Sequence, residues 1–319
     1  MEKIRVSKLV TTFGFGAAAW VVTAVIALSW GAVNDPSFEV IRQVRLPRAI
    51  LASAIGVGLS VAGAALQALF ANPLCEPYTL GISSGAGLGA VLGISFGFQW
   101  MVAGLTGTAF LGAIVFSVVL YLISLKAKGG NTTLLLAGVM LGFLGSSLVT
   151  LWISLSDSNG VQNAMNWLFG DLSRARLGGS LFTVAGVLSL TALLWGEWRN
   201  LDGLLMGEEG AAALGVDVRQ VRRKVIVLVS LLIGLCVSAG GMIGFIGLVV
   251  PHFSRRMIGS LHLRLIPLCA IWGAATLTLA DCLARVVVRP YELPVGVVTA
   301  LIGAPVFLWI MLKRQERES

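Results

Sequence analysis

Residues 199–224 read RNLDGLLMGEEGAAALGVDVRQVRRK, the longest polar interval between two long apolar runs in the chain. The interval is rich in charge, although only 12% of the whole chain is charged. Within it, Glu208-Glu209 stands ahead of Gly-Ala-Ala-Ala-Leu-Gly215. That order predicts a short helix: carboxylates complement the positive end of the helix dipole, and glycine allows the turn that ends it. A polar interval of this length is either a solvated connection or a docking surface for a soluble partner. The residues of the interval leave both readings open.

On either side the sequence is apolar. The 319 residues are 57% hydrophobic, include 39 glycines and have a mean hydropathy of +0.91. A soluble domain could not keep so much apolar surface from water, so the chain is expected to be an all-α polytopic membrane protein. A span takes about 20 apolar residues. Ten segments are expected, at roughly 9–31, 48–70, 79–99, 102–125, 134–155, 178–197, 225–241, 242–258, 265–284 and 294–312. The run after residues 1–8 is too long for a signal-peptide core and is taken as a retained first span. The whole of 1–319 is expected to be one transmembrane domain.

An even number of spans places both termini on one side. With the termini inside, the inner loops hold sixteen of the 23 Lys and Arg residues, as the positive-inside rule requires. The net charge of +8 is thus mainly a record of topology. It is scattered, with no basic face for nucleic acid. Cys75, Cys236, Cys269 and Cys282 lie in or beside apolar runs without paired spacing, which favours packing over a disulfide or metal set.

Glycine and proline mark where the spans depart from regular helix. Pro73 and Pro77 force an irregular inner connection after Asn72. Leu80-Gly-Ile-Ser-Ser-Gly-Ala-Gly-Leu-Gly lacks the Gly-Lys-Ser/Thr ending of a phosphate-binding loop and reads instead as close helix packing. Gly240-Gly241 through Pro251 predicts a broken or kinked helix. At the outer ends, Arg45 and Arg48 flank Pro47, and Asp281 and Arg285 share a helix face near the end of the ninth span. Arg45 and Arg48 read either as snorkelling cations or as a pair held out toward an acidic partner. Arg285 reads as a partner of Asp281 or as part of that docking set, and both can hold, with Asp281 orienting the arginine.

The interior is expected to be almost free of ionisable groups. Proton- or ion-coupled carriers place Asp, Glu or Lys along the path, and no such relay is apparent. There is no metal-ligand cluster, nucleophile set or paired-carboxylate site for an enzyme, and no channel filter motif. Energy for uphill transport would have to enter from outside the chain, which turns attention back to residues 199–224.

Several motifs carry a family resemblance. Arg45-Leu-Pro-Arg48, Asn72-Pro-Leu-Cys-Glu-Pro, Leu80-Gly-Ile-Ser-Ser-Gly-Ala, Leu135-Leu-Ala-Gly-Val, Gly244-Phe-Ile-Gly-Leu-Val-Val-Pro-His252, Ala280-Asp-Cys-Leu-Ala-Arg285 and Glu292-Leu-Pro-Val-Gly-Val-Val-Thr-Ala occur in order along the chain. Together the set resembles the permease subunits of bacterial ABC importers for iron-siderophores, haem and cobalamin. The resemblance implies a ten-helix type II importer permease in the inner membrane, paired with a second copy. It also implies two cytoplasmic ATPase subunits, which bind the ATP, and a periplasmic substrate-binding protein. No cofactor is expected on this chain.

Site roles follow from the same resemblance. Glu208, Glu209, Ala211, Leu214, Gly215 and Val216 fall in the helix that couples to the ATPase. Arg45, Arg48 and Arg285 correspond to cations that meet the binding protein. Asn72 and Leu74, with Asn131 and Thr132, fall where the path closes at the inner face, although Asn131 stands where the family carries Ser or Thr. The path is expected to be apolar. The cargo class expected is an iron chelate or haem, with cobalamin as the alternative and a stand-alone secondary transporter or channel as the rival class.

Overall fold

The computed structural model describes residues 6–31, 37–98, 104–126 and 130–318. The outer turn expected at Asn34-Asp35-Pro36 lies outside them. All regular elements among the described residues are helical. In order they are α1 (Val6–Ser29), α2 (Phe38–Val40), α3 (Leu46–Leu69), α4 (Ile82–Ser95), α5 (Gly104–Lys126), α6 (Gly130–Ser154) and α7 (Ser158–Leu168). There follow α8 (Leu177–Gly196), α9 (Trp198–Leu204), α10 (Gly207–Ala213), α11 (Val218–Gly240), α12 (Ile246–Ile258), α13 (His262–Val286) and α14 (Val295–Glu318).

Among the described residues seven helices are long and apolar enough to cross a membrane, so the expected count of ten is not reached on that measure. The third, eighth and tenth expected spans are the shortfall. α4 has 14 residues and α12 has 13, and the apolar part of α14 ends at Trp309. At 1.5 Å per residue α4 is about 21 Å long, short of the roughly 30 Å apolar thickness of a bilayer.

The core is built on α3, twenty of whose 24 residues are buried. Glycine makes its close contacts. A Cβ on Gly56 would strike the Gly273 carbonyl of α13, one on Gly273 would strike the Gly56 carbonyl, and one on Gly63 would strike Gly247 of α12. These are backbone atoms and cannot move aside, so the helices approach this closely only because both partners are glycine. In the same way Gly85 and Gly89 of α4 lie against Gly112 and Thr108 of α5. The shell outside this core exposes Val10, Phe15, Leu111, Val115, Leu136, Phe143, Leu181, Phe182, Leu301 and Leu308, apolar side chains that a lipid environment or another helix would cover.

The two half-length helices begin inside the bundle. α11 ends at Gly240, Gly241 takes φ +74°, and α12 starts only after Phe245, a non-glycine residue at φ +68°. Gly247, one residue into α12, faces the Leu59 carbonyl near the middle of α3. The break expected at 240–251 is therefore a true interruption, because a left-handed residue cannot continue a right-handed helix. The chain after α3 climbs back to the same depth. Pro77 opens a 3-10 turn, Pro77–Leu80, and its ring packs on Gly247.

Candidate functional sites at the two ends of the bundle

One end of the bundle carries Glu208 and the other carries Arg48, and each holds a cluster of polar groups. At the Glu208 end, residues 198–217 fold into α9, α10 and their turns. α10 spans Gly207–Ala213 with Glu208 and Glu209 in its first turn, as the sequence pattern predicts. Ala211 is fully buried and Leu214 is 68% exposed. Gly215, at φ +81°, reverses the chain after the helix. Val216 packs its Cγ2 over Gly203 of α9. Glu208 pairs with Arg222 at the start of α11, while Glu209 is exposed. A cavity of about 720 Å³ opens beside α10, lined by Trp198, Asp202, Met206, Leu214 and Gln220 among others. Met206 and Leu214 are strongly exposed apolar side chains beside it, among the polar groups Arg199, Asp202, Asp217 and Gln220. Such a patch with a polar rim is what a protein partner covers.

The corner between α8 and α9 anchors this segment. Lys224 of α11 pairs with Glu197, which also accepts from Asn200 Nδ2 at 2.7 Å. Burial works to raise the Glu197 pKa, but the hydrogen bonds from Lys224 and Asn200 outweigh it and hold the carboxyl below the usual range. Asp202 accepts two bonds through one oxygen, from the His262 backbone N–H at 2.8 Å and from His262 Nδ1 at 2.6 Å. Trp195 Nε1 donates to the Leu263 carbonyl at 2.9 Å.

The connection between α3 and α4 lies at the same end. Leu74 is 48% exposed, and its backbone N–H donates to Asn72 Oδ1 at 2.9 Å. Thr132 is exposed in the first turn of α6, and Asn131 precedes it. The Asn131 side chain lies outside the described residues. Among the described residues no hydrogen bond joins Asn72 or Leu74 to Thr132, but α6 packs on the 3-10 turn through Gly138, which faces Thr79 and Leu80. Gln67 holds the connection from behind, donating to the Cys75 carbonyl at 3.2 Å and to the Gly247 carbonyl at 3.3 Å, and accepting from Arg255. Glu76 turns its carboxylate toward the Phe245 backbone N–H at the start of α12. Glu76 is half-buried there.

At the Arg48 end the outcome differs from expectation. Arg45, Arg48 and Arg285 do not project outward; they are 4%, 5% and 3% exposed. Arg48 places Nε 2.9 Å from Asp281 and NH1 2.6 Å from Glu292. Arg285 lies 3.2 Å from Asp281 on its own helix and donates to the Ala27 and Trp30 carbonyls. Arg45 donates to the Leu28 and Ser29 carbonyls at 3.0 and 2.8 Å. The physical reason is the end of α1. A helix leaves its last four carbonyls without partners, and two guanidiniums cap them here, as cations at a helix C-terminus should. The exposed cations of this end are Arg42, Arg174, Arg176 and Arg289. The first three flank the start of α3, to which the segment of Arg174 and Arg176 is tied by a 2.9 Å bond from Ser180 to the Pro47 carbonyl.

Among the described residues no group of three or more His, Cys, Asp or Glu could hold a metal ion, and the four cysteines are free and buried. The described residues thus form a bundle of apolar helices with two half-length members and a polar segment at one end.

The chain belongs to the FecCD transport family, whose model matches residues 6–313, and it is an ABC importer permease of that family. It is 39% identical to the hemin transport system permease protein HmuU of Yersinia pestis, over 90% of this chain and 87% of that protein. It is 38% identical to the vitamin B12 import system permease protein BtuC of Vibrio cholerae, over 90% of this chain and 86% of that one. A solved transporter, described as of metal-chelate ABC type and in an inward-facing conformation, superposes with a TM-score of 0.87 at 34% identity. That match covers 94% of this chain and 98% of its own.

Proposed function

We propose that this chain is the membrane half of a binding-protein-dependent importer that carries an iron chelate, as siderophore or haem, across the bacterial inner membrane. Two copies enclose the path, two ATPase subunits dock at the Glu208 end, and a periplasmic binding protein docks at the Arg48 end. Both termini then lie in the cytoplasm. The observation that carries this reading is α10. A helix with two acids in its first turn, an exposed leucine at its end and an open groove beside it is an arrangement built to be held by a soluble partner.

Three features support the rest. Positive charge at the Glu208 end fits a cytoplasmic face. α6 exposes Ser146, Ser147, Thr150 and Ser154 with Phe143 along one side; lipid does not favour such a hydroxyl stripe, whereas a solvated path between two copies does. The buried ionic groups Arg48, Asp281 and Arg285 are paired to one another near one end and form no relay through the bundle, which sets the protein apart from an ion-coupled carrier.

Cobalamin is the second reading, favoured by the 38% identity to the vitamin B12 permease. It stands close to the haem reading because the chain presents no ligand-specific pocket among its described residues. The test is to purify the permease with its ATPase and binding protein and to identify the molecule that the binding protein retains. Iron chelate or haem bears the reading out, and a corrinoid transfers it to cobalamin. Failure of any ATPase to co-purify, with gradient-driven uptake by the chain alone, overturns the importer assignment.

A further inference from the structure

The groups that tie the docking segment to the rest of the bundle differ in burial. The Glu208–Arg222 and Glu197–Lys224 pairs each join one exposed side chain, Glu208 at 42% and Lys224 at 56%, to a largely buried partner. Water reaches one side of each pair and screens it. Asp202 and His262 are different. His262 is fully buried, its Nδ1 is 2.6 Å from Asp202 Oδ1, and the same oxygen takes the His262 backbone N–H at 2.8 Å. An ionised carboxylate only accepts, so Nδ1 donates. His262 Nε2 is buried with no hydrogen-bond partner, so Asp202 alone orients the ring among the described residues.

This contact lies between two parts that must move together if docking is to open a path. On one side, Asp202 belongs to α9 and lines the groove beside α10. On the other, His262 is the first residue of α13. α13 is joined to α12 by a turn of three residues, Gly259 at φ +85°, Ser260 and Leu261. So short a turn leaves the two helices little freedom to move apart, and they act as one hairpin. The α12 side of that hairpin is fastened to the α3–α4 connection. Arg255 bonds Gln67, Gln67 bonds both Gly247 and Cys75, and Glu76 faces the Phe245 N–H. Asn72 and Leu74 sit on that connection.

We propose that Asp202 and His262 form the positioning contact through which displacement of α10 reaches the α12–α13 hairpin, and through it the connection bearing Asn72 and Leu74. The proposal rests on the reading of α10 as the place where the ATPase docks. His262 touches neither the groove nor the path. It acts by stiffening the joint between them.

The test uses the assembled permease–ATPase complex in nanodiscs with Leu74→Cys, and follows alkylation of the introduced thiol by a water-soluble maleimide. The four native cysteines are buried, and the complex without Leu74→Cys supplies the background. ATP with vanadate traps the ATPase closed. With His262 present, trapping changes the alkylation rate by about tenfold, within the range usual for coupled sites. With His262→Ala the complex still binds and hydrolyses ATP, but the change shrinks below about twofold, a collapse of that coupling. His262→Asn, which keeps an N–H donor within reach of Asp202, retains it.

Where His262→Ala fails to assemble, His262→Leu refills the volume without a side-chain donor, keeps only the backbone N–H bond to Asp202 and is expected to lose the change. A full nucleotide response in either donor-less variant overturns the proposal. So does loss of the response in His262→Asn, because ring volume and not the bond would then be the carrier. Failure of both donor-less variants to assemble also overturns it, because the contact is then purely structural. If trapping leaves the rate unchanged even with His262 in place, the importer reading fails and not this contact alone.

Discussion

Arg48 Nε lies 2.9 Å from Asp281 Oδ1, joining α3 to α13 across 233 positions of sequence. The carboxylate is fully buried and also faces Arg285 at 3.2 Å. Two guanidiniums therefore share one acid, and Glu292 supplies the second negative charge to Arg48. The cluster locks the end of the bundle: both guanidiniums and Asp281 are buried, and only Glu292 is open to solvent.

Removal of one partner from such a set leaves a buried charge unmatched, which costs about 3–5 kcal/mol. Arg48→Met and Asp281→Ala are each expected to destabilise by that order, and the double variant by less than their sum. Thermal melting of the detergent-solubilised protein, read as a double-mutant cycle, measures it. Strict additivity would show that the two residues do not interact.

Leu214, at the C-terminal end of α10, is an apolar side chain 68% exposed. Leu214→Asp is expected to leave the melting temperature within about 2 °C, since surface changes stay within roughly 0.5 kcal/mol. Co-purification with the ATPase should fall by at least about tenfold, as for a hot-spot residue. Glu208→Lys breaks the pair with Arg222 and Glu209→Lys does not. Both should uncouple transport, and only the first should also lower stability.

The buried and exposed arginines separate docking from stability. Arg42→Glu with Arg176→Glu is expected to weaken binding-protein association at low salt, with little effect by 0.5 M salt, where screening removes the attraction. Arg45→Glu with Arg48→Glu should instead lower the melting temperature, because those side chains cap α1 and bind Asp281. Surface-plasmon titration beside thermal melting distinguishes the two pairs of variants.

Close glycine contacts predict steric intolerance. Gly56→Ala would place a methyl against the Gly273 carbonyl, and overpacking of this kind costs about 1–3 kcal/mol. Gly178→Ala, with nothing within 4 Å of its Cβ, is the matched control and should be silent in a melting experiment.

The Glu197 carboxyl is held below the ordinary glutamate range by Lys224 and Asn200. A depressed folded pKa means that the stabilisation is present above the unfolded value, about 4.3. It is lost as the pH falls through the lower, folded value. Glu197→Gln should therefore melt below wild type at pH 7, and the two curves should converge in acid.

Several elements were legible from residue order alone. α10 could be read from Glu208-Glu209 and Gly215, the break after Gly240 from its glycines, and the irregular connection from Pro73 and Pro77, because each depends on neighbours along the chain. The half-lengths of α4 and α12 could not, because apolar residues continue past the point where the backbone leaves the helix. The place of Glu76 beside the start of α12 follows only from the chain folding back onto the bundle.

The amino-acid order by itself determined that this chain lives in a bilayer, that its interior is glycine-packed, and that one acidic-fronted helix interrupts the apolar runs. Hydropathy, periodicity and turn chemistry act over a few residues and need no partner. Which charges face outward was decided only in three dimensions. Arg45, Arg48 and Arg285 are turned inward by the unsatisfied carbonyls of α1 and by Asp281 and Glu292. Asp202 meets His262 across 60 positions. A guanidinium or an imidazole goes where its nearest unpaired acceptor lies, and that position exists only once distant helices have packed.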